Sequence, residues 1–469
     1  MSEQAKSTVV SRRNFLRMAG LAGGAAVLAA CAAPKAAPEE GGQTKEEAQP
    51  ASGEQVTITW WNQFSTPMCQ DLFPKIVAQF TEAHPNIKVE FEITGGPPGG
   101  GEYLEVINAR IAAGNPPDTI TLWSPPSQFG ARGALLAIDS YMERASKAKV
   151  GSFYEGPLAS CQWKGKTYGL PASAGAGCIF INKGIFEEAG LSTKREDFPT
   201  TWDGLKQLAA QLTVIENGEI TRAGFVPWAA AWLKPVWSAL NGGKIFNSTE
   251  IRYEIDSENN LELLNYWVSY LDEQLGGDIE KVNLVGAFGS VYPETAFQLG
   301  KSAIDMEGAW GCTDASIPFE WEIMKFPVGP KGTKSVTGFW PNWWAIPKGT
   351  KHPDEAFLLT EHFCTDGWVY WYVEGTMDTP AWKGCPKDAY TKLVEKQFGT
   401  ERAIDLHKFF TEYLENTAEM WTSPVEDFAS DTLGQAIDEV LHKVTPAKEA
   451  LATAQQTCQA KLEETIKGL

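Results

Sequence analysis

In the stretch GFWPNWWAIP, residues 338–347, three tryptophans (Trp340, Trp343 and Trp344) stand around Pro341 and Asn342. Indoles this close either plug a hydrophobic core or offer a flat surface to something equally flat. A face-on indole suits the apolar face of a pyranose ring, with nearby amides, carboxylates and hydroxyls meeting the sugar's own hydroxyls. Each buried hydroxyl left unpaired would cost roughly 1–3 kcal/mol, so such a site needs polar partners beside its rings. Trp61, Trp123, Trp228 and Trp310 raise the same question, because each falls at or just beyond an apolar run and before a break in pattern. Ligand sites gather at strand ends of open α/β sheets, which favours these positions. Alternation through Trp344, Ala345 and Ile346 puts Trp344 and Ile346 on the buried side of a strand. Trp340, Asn342 and Trp343 are then the expected platform and rim. Trp60, Trp202 and Trp267 sit on apolar stripes and are expected in the core.

Other chemistry finds little support. Among the carboxylates are Asp118, Glu294, Asp305, Glu307, Asp314 and Asp378, but nothing in their spacing selects an acid and base pair of the kind a glycosidase needs. The chain lacks a G-x-S-x-G elbow and a phosphate-binding P-loop. His84, His352, His362, His407 and His442 form no close metal motif, and no metal or cofactor is expected. A net charge of -19 argues against a nucleic-acid surface, which demands clustered Lys and Arg.

The elements that must position these residues are read from periodicity. VTITW (56–60) alternates as a strand, Asp71 to Ala83 carries a helical stripe, and HPNIKVEFEIT returns to a strand. GGPPGGGE reads as a loop, a short helix follows, and NPPDTITLW gives another strand. Strand, helix, strand, helix, strand implies crossovers and a largely parallel sheet. Further strands are expected at CIFIN, AGFVPW, SAIDM, EIMKFPV and WWAIP, and helices at roughly 401–415, 425–443 and 446–466.

The N-terminus reads as an export signal rather than fold. SRRNFLRM is followed by a short run of apolar and small residues, with Arg12-Arg13 like a twin-arginine motif. LAAC at 28–31 resembles a lipobox, so residues 1–30 are the expected signal and Cys31 the lipid-bearing residue. Residues 31–55 lack the apolar content to offset their ordering entropy and read as a linker. Beyond it, somewhat over 400 residues with no later apolar run long enough to span a membrane suit two lobes. Seven further cysteines remain, and their spacing assigns no pairing.

Taken in order, VTITWWNQF, IAAGNPPD, GKTYGLPASAGAGCIFINKGIFEEAGL with TTWDGL, AFQLGKSAIDMEGAW and WWAIPKGTKHPDEAFLLTEHF resemble the solute-binding proteins of carbohydrate ABC transporters. The resemblance implies an α/β fold of periplasmic-binding-protein-like type II, two lobes around a ligand cleft, with several crossings between them. One lobe would hold 55–172 plus 328–379 and the other 173–327 plus 380–469, with ASAGAG in a hinge crossing. Carried over by position, Trp61, Asn62, Gln63, Trp123, Ser124, Glu307, Trp310 and Trp421 are the implied sugar contacts. The implied protein is a non-enzymatic, monomeric receptor outside the cell membrane, held by its lipid, that hands a sugar to permease subunits driven by a cytoplasmic ATPase. Three alternatives stay open: a receptor for a polyol phosphate such as glycerol 3-phosphate, an exported glycoside hydrolase, and an adhesion or scaffold protein. A phosphate would call for Arg or Lys at the site, and Lys301 and Lys325 are the cations available.

Overall fold

The computed structural model describes residues 55–93, 102–285, 294–314 and 316–467. The expected export signal, Cys31, nearly all of the linker and most of the GGPPGGGE loop lie outside them.

Two sheets organise the chain. In chain order their strands are β1 (Val56–Trp61), β2 (Ile87–Glu92), β3 (Thr119–Leu122), β4 (Leu170–Pro171), β5 (Gly175–Asn182), β6 (Ile304–Gly308), β7 (Trp321–Met324), β8 (Phe339–Trp340) and β9 (Trp343–Ala345). The first sheet runs β2-β1-β3-β9-β4. Its β1–β2 and β1–β3 pairs are parallel, joined through the helices Pro67–Ala83 and Tyr103–Ala112, while β9 is antiparallel to both neighbours. In the second sheet β5 is central, and β6, β7 and β8 all pair with it antiparallel. Each sheet carries helices, giving two α/β lobes.

Local chemistry sets the elements much as their sequences imply. Thr66 caps the first helix and Thr201 the helix Trp202–Leu212, each accepting a backbone N–H on its hydroxyl. The tail helices span Thr400–Tyr413, Glu426–Leu441 and Ala447–Lys467. The first of these is tied to β7 through Glu322, which accepts from Arg402 at 2.9 Å and from Arg195 at 3.0 Å, while Arg195 also grips Asp405 with two nitrogens at 2.9 and 2.7 Å.

Two expectations change. AGFVPW is not a strand; its pairing is limited to Ala223 and Gly224, which bond to the backbone of 301–304 around a single parallel bridge from Ala223 to Ser302, and the chain turns away beyond them. The tryptophan-rich stretch is divided between sheets: Trp340 belongs to β8 on β5, whereas Trp343 and Trp344 belong to β9 in the first sheet. Pairing therefore changes sheets at 341–342.

Trp344 lies in an aromatic core, stacked on Phe363 at 5.0 Å and packed against Trp60 and Phe73. Truncating so large a buried side chain removes its burial and leaves a cavity. Trp344→Ala is expected to lower the unfolding free energy by about 3–5 kcal/mol in chemical denaturation, and Trp340→Ala, at a partly exposed ring, by distinctly less.

Candidate functional site

Three passages of the chain run side by side where it moves between the sheets. Residues 172–174 lead from β4 to β5, residues 341–342 from β8 to β9, and residues 378–381 lie against the first passage. Ala172 donates to Asn342 O at 2.8 Å, Ala174 to Thr379 O at 2.6 Å, and Ala381 to Ala172 O at 3.0 Å. Ser173 joins them further, its hydroxyl donating to Trp340 O at 2.9 Å and accepting from the Asn342 amide at 3.0 Å.

Against these passages stands a chain of indoles. Trp310, on the turn after β6, faces Trp232 at 5.7 Å; Trp232 is edge-on to Trp340 at 6.1 Å; Trp340 is edge-on to Trp421 at 5.1 Å. Trp310, Trp232 and Trp340 are each partly exposed. Trp421 holds a positive φ of 64°, a costly conformation for a bulky residue. It is kept there by its Nε1, which donates to Phe339 O at 2.9 Å, and by edge-on contact with Trp340 and Trp343.

Polar groups flank the rings. Asn342 Nδ2 donates to Asp378 Oδ2 at 2.9 Å and to Ser173 Oγ at 3.1 Å. Burial raises the Asp378 pKa to about 7, the hydrogen bonds of Ser173 and Asn342 pulling the other way. Glu307 is buried on β6, where Oε1 accepts from Gly308 N at 2.7 Å. Burial pushes its pKa up to about 8, with Gly308 and Trp310 opposing and Asp305 and Asp314 adding to the rise.

The other expected residues fall into distinct places. Gln63 Oε1 accepts from Trp123 N at 3.0 Å, and Trp123, 49% exposed, leans on Phe64. Ser124 donates to Asp427 at the start of a tail helix at 2.9 Å, and Gln128 does so at 2.7 Å. This links the Trp123 segment to the stretch that carries Trp421, whose carbonyl accepts from Ser127. Arg110 lies over the Trp61 ring at 5.7 Å, and neither Trp61 nor Trp228 makes a ring–ring contact among the described residues.

Two expected contacts are enclosed instead. Asn62 is 0% exposed, because its side chain folds back on Phe64 N and O and takes the Thr121 hydroxyl, shaping the loop after β1. Trp343 is also 0% exposed, and its Nε1 donates to Ser160 Oγ at 2.8 Å. Alternation separates a buried face from an open one only where a sheet has an open face; β9 is covered on both. Sequence reasoning missed Trp232, which it left inside a helix running from Ala229, and it did not single out Asp378 among the carboxylates. The Trp-Leu-Lys-Pro step, with Pro235 at the true helix start, was the available signal for Trp232.

All seven described cysteines carry free thiols, and no group of residues able to hold a metal ion occurs among the described residues. Among them, too, no helix is long and apolar enough to cross a membrane.

Residues 70–367 match the family described as bacterial extracellular solute-binding protein. The chain belongs to that family. This solute-binding protein is 31% identical over 146 residues to a putative binding protein from Brucella abortus, covering 30% of this chain and 32% of the relative, so the match spans about a third of that relative's length. It is 24% identical over 389 residues to the erythritol/L-threitol-binding protein of Mycolicibacterium smegmatis, 75% of this chain and 77% of that one. A substrate-binding protein of an ABC transporter from Listeria monocytogenes, solved with cycloalternan, superposes with a TM-score of 0.68 at 19% identity, covering 87% of this chain and 100% of the other. That likeness establishes the two-lobed fold of the solute-binding protein.

A carboxyl whose folded pKa lies above its unfolded value stabilises fully at low pH, and that stability is lost as pH rises through the folded value. Glu307→Gln should therefore melt with the wild type near pH 4 and at a higher temperature above pH 8, as read by thermal denaturation across pH.

Proposed function

We propose that this solute-binding protein is a receptor for a neutral carbohydrate, a sugar or short oligosaccharide, that delivers its ligand to an ABC permease. The observation that carries this reading is the indole chain Trp310, Trp232, Trp340 and Trp421 at the crossings, with Asn342 and Asp378 beside it. Indole faces suit the C–H faces of sugar rings, and an amide with a carboxylate supplies a donor and an acceptor for hydroxyls. Trp123 and Gln63 extend the same chemistry from the first lobe.

The lobes, in this reading, are 55–172 plus 328–379 and 173–327 plus 380–469, with the pairing seen at 341–342 drawing 337–340 toward the second. Sugar binding favours the closed arrangement to the extent that the ligand contacts both lobes. Cys31 bears the lipid, the twin-arginine segment directs export, and the domain acts as a monomer outside the membrane, handing its ligand to permease subunits served by a cytoplasmic ATPase. Firm anchoring needs more than one acyl chain.

Binding proceeds without catalysis. A polyol phosphate is disfavoured because the cation beside the indoles, Lys234, shares a small cavity with Trp232, Trp421 and Glu426, where burial works against its charged form and only Asp431 opposes that shift. The erythritol-binding relative keeps uncharged polyols within the ligand class to be tried.

Calorimetric titration with maltotriose, mannotriose, monosaccharides, erythritol and glycerol 3-phosphate tests this. The expected outcome is micromolar or tighter affinity for at least one uncharged member, left chemically intact after incubation. Trp310→Ala and Trp340→Ala should each weaken it by more than about tenfold, a loss of roughly 1.4 kcal/mol. Tight binding of glycerol 3-phosphate alone, or hydrolysis of a saccharide, would overturn the reading.

A further inference from the structure

The two oxygens of Asp378 have different surroundings. The residue is 6% exposed, and Oδ2 is held by Asn342. Oδ1 is closed to solvent and meets no hydrogen-bond donor among the described residues. An unpaired buried carboxylate oxygen is costly, and holding Asn342 does not require it, since a neutral amide oxygen at 378 would still accept from Asn342, in a weaker bond. Glu307, by contrast, has Oε1 committed to the Gly308 amide.

The location of the free oxygen is specific. A Cβ on Gly175 would stand 2.6 Å from Asp378 Oδ1 and 2.7 Å from Trp310 Cζ3. The carboxylate oxygen and the edge of the indole thus converge over a side chain that is missing. Any other residue at 175 would collide with both. On the far side Trp310 lies across Gly308, where a Cβ would meet its ring at 2.2 Å, and the indole is partly exposed. Two bare backbone positions therefore seat this ring beside Asp378 Oδ1. Ser173, Asn342, Gly175 and Trp310 surround Asp378, and none of them is charged.

Resting on the carbohydrate reading, we propose that Asp378 is the acceptor that orients the sugar ring stacked on Trp310, taking a ring hydroxyl on Oδ1 as the indole shifts. Gly175 is then the position that must stay bare for the hydroxyl to reach it. The cost of the unpaired oxygen in the free receptor is recovered when the hydroxyl arrives, so the residue favours binding at the expense of the unliganded fold.

Asp378→Asn and Gly175→Ala test this in the full chain, using whichever of maltotriose, mannotriose or erythritol binds the wild type most tightly. The expected result for Asp378→Asn is an affinity at least tenfold weaker, with an unliganded melting temperature at pH 8 equal to or above that of the wild type. Gly175→Ala should lose affinity by a similar factor. Unchanged affinity in Asp378→Asn overturns the proposal, and so does a drop of several degrees in its unliganded melting temperature, which would make the carboxylate a packing element. If a monosaccharide of the panel binds where these three do not, it takes their place; if no uncharged member binds, the carbohydrate reading fails by that arm alone, and the melting comparison still decides whether Asp378 serves the fold or a ligand.

Discussion

Ser173 and the two backbone positions beside it hold three passages of the chain in register, and the arrangement of the site follows from that lacing. Its hydroxyl bridges the Trp340 carbonyl and the Asn342 amide, while Ala172 and Ala174 pair with the third passage through Ala381 and Thr379. The residues that the lacing brings together, Trp340, Asn342 and Asp378, come from segments far apart in sequence. Two of these passages, 172–174 and 341–342, carry the chain from one sheet to the other.

Some of the unfavourable features of the fold lie at this place. Trp421 occupies a left-handed backbone conformation, Asp378 keeps an oxygen without a donor, and Glu307 is a carboxyl raised by burial. Elsewhere the charges are well served, as in the Arg195, Asp405, Arg402 and Glu322 network on the second lobe. A stable fold tends to place strain and unmet polarity where a ligand can use them, and the aromatic cores of both lobes have stability to offset it. Those cores are rich in the same residue type as the site: Trp60 and Trp344 in one, Trp202, Trp237 and Trp267 in the other.

Much of the fold was legible because it rests on local rules. Helix caps at Thr66 and Thr201, the period-2 run of β1 and the stripes of the tail helices are properties of a few neighbouring residues. The site was legible in part. The ring contacts of Trp310, Trp340 and Trp421 lie within one indole chain, yet Trp343 and Asn62 are enclosed, and Trp232 and Asp378 were not foreseen. Asn62 shows why. A buried amide that folds onto its own loop and one that meets a ligand have the same sequence signature, and only the neighbours distinguish them.

The GFWPNWWAIP stretch marks the division most plainly. Composition and spacing by themselves determined that aromatic rings would be concentrated there and that the run from Trp344 would be a buried strand. Only the tertiary structure decided that Trp340 and Trp343, three residues apart, pair with different sheets, with the crossing between them at Pro341 and Asn342. Periodicity reports which side of a strand a residue takes, but not what covers that side. Whether a ring is a plug or a platform depends on what the rest of the chain packs against it. Here that was settled by a second sheet and by the loop between two tail helices, contributed from distant parts of the sequence.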